Sequence, residues 1–280
     1  MFYSKLRKTN IEEYQNAIKE YDSEVSLMRE LCEALYLTRK ESIEQIQDVS
    51  HLINSIANTP KSFKDDFAEI HVHVNKFKNV VEYVNEALKQ AKISGGISGA
   101  GVAAGAGMAA LGPSAAMAIA TTFGTASTGT AIASLSGAAA TNAALAWLGG
   151  GALAVKGGGM AAGKALLAMA GPIGWTIAGA SIAVSGVFLS RKNKKIAEEA
   201  HDQTKKVIEA KNGMVITNKK IHEQNRLTIS HKDSITQSLH RLQKYHGVDY
   251  STINNDVKIQ FGALVNNTKS LAKLLDMIIE

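Results

Sequence analysis

Between residues 93 and 190 the chain has no Asp and no Glu, and its only charges there are Lys156 and Lys164. A solvated linker of that length would carry serine, proline and charge, so a linker is excluded. Cysteine is nearly absent as well: one residue, Cys32, cannot build a disulfide framework, and nothing calls for an oxidising compartment. There is no HExxH or CxxC pattern to hold a metal. The amino-terminal MFYSKLRKTNIEEY is positively charged but lacks an apolar core, so no Sec-type signal peptide is expected, and synthesis in the cytosol follows. Export, if any, would use a signal-independent route. Net charge is +6 with a pI near 9.2, and the two signs are too mixed to argue for nucleic acid.

What the acid-free stretch does contain is glycine and alanine. It holds 21 of the 24 glycines, and it sits between two arms dense in Lys, Glu, Asp, Asn and Gln. The expected organisation is therefore an amino-terminal helical hairpin over residues 1–93, an apolar Gly/Ala-rich head over 94–190, and a carboxy-terminal helical hairpin over 191–280. The fold class expected is all-α, an elongated bundle with the head inserted between its second and third long helices.

The arms carry this reading. Steps of three and four residues link Ile11, Tyr14, Ile18, Tyr21, Val25, Met28, Cys32, Leu35, Arg39, Ser42, Ile46, Val49, Ile53 and Ile56, with only Arg39 and Ser42 polar. Such a pattern predicts one long amphipathic helix, roughly 70 Å at about 1.5 Å per residue. Asn10, with Glu13 three residues on, reads as its cap, and Asn58-Thr59-Pro60 as its stop. After Pro60 the positions Phe63, Phe67, Ile70, Val74, Phe77, Val81, Val84 and Leu88 repeat the device, and the short connection makes the two helices antiparallel. Beyond the head, Val207, Met214, Ile221, Thr228, Ile235 and Leu242 recur every seven residues, with the other half of each heptad mostly polar. Gly247 ends that helix. A last helix is expected from Ser251, with Ile253, Val257, Phe261, Leu264, Leu271, Leu275 and Ile278 on one face.

Within the head three apolar segments are expected, at residues 97–123, 130–155 and 166–189, each long enough to cross a hydrocarbon core that needs about 20 residues. Their Ala, Gly, Ser and Thr content points to conditional rather than permanent insertion. Small residues every four positions, Gly101 and Gly105, Gly150, Ala154 and Gly158, Gly174 and Ala178, would let helix backbones approach closely. The same residues could fill the tight core of a permanently soluble head. Candidate membrane-inserting residues are Trp147, Leu148, Lys156, Gly158, Lys164, Leu166, Trp175, Ile177, Val184 and Phe188. If the arms stay together, both ends of the head emerge on one side of a membrane, which demands an even number of crossings. The second and third segments are the better pair, with the turn at 156–164 as the tip. Lys89, Lys92, Arg191, Lys192, Lys194 and Lys195 would then be held by anionic headgroups on the side of approach.

Other constellations are weaker. GGMAAGKA at 158–165 fits the P-loop pattern until Ala165, which cannot supply a hydroxyl to magnesium, and no acid or strand lies near it. His71 and His73 diverge on a helix and cannot share a metal there. Cys32 lies in the apolar seam and reads as core. His222, His231 and His240, nine residues apart, fall on roughly one helical side and could sense acidification, although solvated surface is the simpler account. No catalytic residue, cofactor, metal or small-molecule substrate is expected.

Long amphipathic helices interrupted by a single apolar head make the chain resemble the α-helical pore-forming toxins of the cytolysin A and haemolysin BL type. It is also similar to the hydrophobic translocators of type III secretion, and TNAALAWLGGGALAVKGGGMAAG resembles Gly/Ala-rich stretches of bacterial proteins. The head is longer than a minimal toxin hairpin. The resemblance implies a non-enzymatic protein that is soluble first, then inserts into a lipid membrane and oligomerises with itself or related subunits. The alternative is a coiled-coil interaction or scaffold protein with a soluble Ala/Gly-packed head.

Overall fold

The computed structural model describes residues 2–93 and 189–279, together with positions scattered between 120 and 144. The described part is all-α, with no strand among the described residues. Four long helices make up the arms: α1 (Phe2–Ser55), α2 (Lys61–Ile93), α3 (Leu189–Leu242) and α4 (Asn255–Leu275). The chain divides into two compact units, one of Met1–Glu30, Ala87–Lys220 and Ile278–Glu280, the other of Leu31–Glu86 and Ile221–Met277.

In the second unit the helices form a closed ring in the order α1, α3, α4, α2. Arg39 and Gln45 reach from α1 to Gln224 and Lys232 of α3, and Ser234 of α3 accepts from Asn267 of α4. Lys269 of α4 meets Asp66 of α2 at 2.9 Å, while Phe77 of α2 packs on Tyr36 of α1 with ring centroids 6.1 Å apart. Sequential helices are antiparallel, as expected. The pairs α1–α3 and α2–α4 are parallel: Arg39 pairs with Gln224 and Gln45 with Lys232, and Asp66 with Lys269 and His73 with Asp276. Within this unit α2 and α3 therefore sit on a diagonal of the ring.

Two connections close one end of this unit. Ala57 N–H donates to Val248 O and Tyr250 N–H to Ala57 O, at 3.1 and 2.8 Å. Asn58, in the left-handed region at φ 54°, donates through Nδ2 to Asp249 Oδ2 at 2.7 Å; Asn tolerates that conformation better than most residues. Gly247 at φ 77° supplies the other turn, where glycine carries no steric cost. Phe63, Tyr245, Tyr250 and Phe261 form an aromatic cluster beneath them, with neighbouring centroids 5.9 to 6.3 Å apart. The last helix starts at Asn255, not at Ser251: Asp249 Oδ1 accepts from Ser251 N–H and shapes a short 3-10 turn at Tyr250–Thr252. Asn254 Oδ1 then caps α4 by accepting from Val257 N–H at 2.9 Å. Ile278 lies beyond that helix, whose last residue is Leu275.

The heptads place the core. All six of Val207, Met214, Ile221, Thr228, Ile235 and Leu242 are buried, as are Phe63, Phe67, Ile70, Val74 and Phe77. On α1 the seam differs from expectation in its first turns. Ile11 and Ile18 are only half-buried, while Asn10 and Ala17 are buried. The steps from Ala17 to Tyr21 and on to Val25 are both four residues, and this phase shift offsets the drift of a 3.6-residue helix against a 3.5-residue repeat. Asn10 is therefore not a cap. The helix begins eight residues earlier, at Phe2, and Asn10 Nδ2 donates to Ala197 O of α3 at 2.8 Å.

Candidate functional site

Every residue expected to insert into a membrane lies outside the described residues: Trp147, Leu148, Lys156, Gly158, Lys164, Leu166, Trp175, Ile177, Val184 and Phe188. So do the small-residue positions Gly101, Gly105, Gly150, Ala154, Gly174 and Ala178, and the P-loop-like 158–165. Among the described residues no helix is long and apolar enough to cross a membrane.

What is described of the head is a closed turn. Ala126 N–H donates to Thr130 O at 2.8 Å and Ile132 N–H to Gly124 O at 3.0 Å. A 3-10 turn at Ile132–Ser134 follows, ending in extended backbone at Leu135. The apolar segment expected at 130–155 thus opens on a turn, and helical backbone lies further along at Ala139 and Ala140. Thr128 Oγ1 donates to Thr130 Oγ1 across the turn at 3.1 Å. Ala120, Ile132 and Ala144 are fully buried. Within the same compact unit Gly124 bridges in parallel to Ile279, which is also buried.

The arms hold a second feature, a polar layer in the apolar seam. Arg39, one of the two polar seam positions on α1, is 1% exposed. Its Nη2 donates to Gln224 Oε1 at 2.7 Å and to Met277 O at 2.9 Å. Burial pulls its guanidinium down to about 9, against the opposing pull of Asp276 and Cys32, so it stays charged at neutral pH. Asp276, at the carboxy-terminal cap of α4, meets His73 Nδ1 at 2.7 Å and Lys76 Nζ at 3.2 Å. Ser42 and Thr228 are fully buried in the same layer, each bonded back to a carbonyl of its own helix. Together these contacts pin the first two residues beyond α4, Asp276 and Met277. The arrangement is a packing specification, with a buried cation matched to a carbonyl, an amide and a nearby carboxylate.

The remaining sequence candidates find structural settings. Burial raises the Cys32 thiol, opposed by Arg39, so it behaves as a small core residue. His71 is exposed beside Phe67, while His73 turns to Asp276. His222 and His240 are exposed and His231 is half-buried. Among the described residues no group of His, Cys, Asp and Glu could hold a metal ion.

Sequence reasoning flagged Arg39 and Ser42 as breaks in the apolar seam but missed Asn10, Asn193 and Asn218, which are buried between α1 and α3. Asn218 Nδ2 donates to Glu24 O at 3.0 Å, and Arg7 Nη1 to Asn193 Oδ1 at 3.0 Å. Asn218 lies in the mostly polar half of the α3 heptads, while Asn193 falls on the seven-residue seam two heptads before Val207. No family model, curated protein or solved structure matches the chain.

Proposed function

We propose that the protein is a membrane-inserting, pore-forming-type helical protein. Its apolar head, residues 94–190, stays covered by its own chain until insertion, and it assembles in the bilayer with copies of itself or related subunits. The observation that carries this reading is the acid-free, glycine-rich head between two charged amphipathic arms. An apolar surface of that size left open would be unusual in a monomer, and the burial of Ala120, Ile132 and Ala144 supports a covered resting state. Both ends of the head, Ala87 onward and the start of α3, belong to one compact unit, which favours an even number of crossings. The turn at 124–132 shortens the second apolar segment and makes the third the stronger spanning candidate. No catalytic step, cofactor or nucleic acid is required. The lipid membrane is the partner, reached from the cytosol or by signal-independent export as in a translocator.

Dye release from anionic liposomes is the test, with a chain lacking residues 95–189 as control. Release by the full chain alone is expected, and equal release from both would sink the proposal. The same burial and the closed turn favour one second reading, an interaction protein whose head is a permanently folded Ala/Gly-packed domain. That reading requires no flotation with liposomes.

A further inference from the structure

Two basic runs, one on α1 and one on α3, lie side by side. α1 carries Lys5, Arg7 and Lys8 before its first acid, Glu12, and α3 carries Arg191, Lys192, Lys194 and Lys195 before Glu198. Neither has an acidic residue in its first turn. Seven basic residues thus precede the first acids of the two runs, Glu12 and Glu198.

The parallel register joins the two runs. Arg7 bonds to Asn193, and Asn10 bonds to Ala197, at 3.0 and 2.8 Å. Those pairs set Lys5 to Lys8 at the level of the first basic residues of α3, although 186 residues separate Arg7 from Asn193. Lys5, Lys8, Lys194 and Lys195 are exposed. The ion pairs Lys8–Glu12 and Lys194–Glu198 are loose, at 3.8 and 3.7 Å, and every partner in them is more than half exposed. Tyr3 and Leu6 are exposed on the same turns of α1, at 38% and 37%. Apolar side chains set among lysines suit the boundary between headgroups and acyl chains.

We infer that the first two turns of α1 and α3 together form a docking surface for anionic phospholipid headgroups, with Tyr3 and Leu6 entering the boundary. The inference rests on the membrane reading of the head and adds the amino-terminal run of α1 and the face that approaches. Continuity favours lipid over another polyanion, because α3 begins where the apolar head ends.

Flotation of the full chain would use vesicles of phosphatidylcholine alone and of phosphatidylcholine with phosphatidylserine. Binding is expected only with phosphatidylserine and should weaken as salt rises. Neutralising Lys5, Lys8, Lys194 and Lys195 to Gln should lower that binding about a hundredfold or more. Neutralising the exposed Lys40, Lys64, Lys78 and Lys219 to Gln should change it far less. Equal losses in the two sets, equal binding to both vesicle types, salt-insensitive binding, or tighter binding to duplex DNA than to either vesicle would each overturn the docking surface. Phosphatidylserine-dependent binding without dye release would overturn the pore reading and leave this surface standing. Dye release unchanged by the first set of substitutions would do the reverse.

Discussion

Two residues show how a polar side chain in a helical seam acquires its role only from its neighbour. At position 10 a capping asparagine and an aspartate would be nearly interchangeable, since each accepts a backbone N–H. Asn10 instead donates to Ala197 O, and aspartate in its place would set a carboxylate against a carbonyl. Asn10→Asp is therefore expected to lower stability by about 1–3 kcal/mol at neutral pH, read from urea unfolding; an unchanged midpoint would return Asn10 to the capping role. Arg39 makes the opposite kind of test. Truncation by Arg39→Ala removes a buried cation, leaves a cavity and unpairs Met277 O, and should cost about 3–5 kcal/mol. Arg39→Met fills most of the volume without the charge, and it should recover most of that loss. If both variants lost the same amount, the charge rather than the packing would be the stabilising feature.

At the level of elements, the pairing of α2 with α4 is written on their surfaces. Lys269 sits between Asp66 at 2.9 Å and Glu69 at 2.6 Å, and Lys273 reaches Glu69 at 3.1 Å. Hydrogen bonds from Lys269 and Lys273 hold Glu69 below the usual carboxylate range, and the bond to Glu69, then that to Asp66, holds Lys269 above the usual ammonium range. The signs give a plateau. The Glu69 contribution is complete above its unfolded value of about 4.3 and is lost as pH falls through the folded one. That of Lys269 is complete below about 10.4 and is lost as pH rises through its raised folded value. Since both groups are only half-buried, solvent screens them and the amplitude is modest. Lys269→Met should flatten the stability profile at both ends, measured as denaturation midpoints across pH; a profile that kept its slope at both ends would rule the network out as its source.

For the whole molecule, the second compact unit contains no residue of the head: it is built from Leu31–Glu86 and Ile221–Met277. Its core residues, from Leu35 to Phe77 and from Ile221 to Leu275, come entirely from the arms. Replacing residues 95–189 by a flexible linker long enough to cross the bundle diagonal should therefore leave its helical content and cooperative melting in place, as followed by circular dichroism. Loss of that transition would mean that the head supports the arms.

The periodicity of the arms determined the all-α class, four long helices, their antiparallel succession, and most of the core. Val207 to Leu242 are buried at the seven-residue spacing read from the sequence, because burial of one stripe is a property of local repeat and helix geometry. The acid-free head was equally legible, since the absence of charge over such a length needs no partner to be recognised. Register and neighbour were not legible. Whether α1 lies beside α3 or across from it depends on which stripes meet, and only the fold joined Asn10 to Ala197, Arg39 to Met277 and Gly124 to Ile279. Hydrogen bonds between positions far apart in the chain leave no period in the sequence. Asn10 therefore read as a cap, Ile11 and Ile18 as core, and the neighbourhood of Ser251 as the start of the last helix. The tertiary structure decided those three points, because an apolar stripe can be satisfied by several partners whereas a buried amide or guanidinium is satisfied by few.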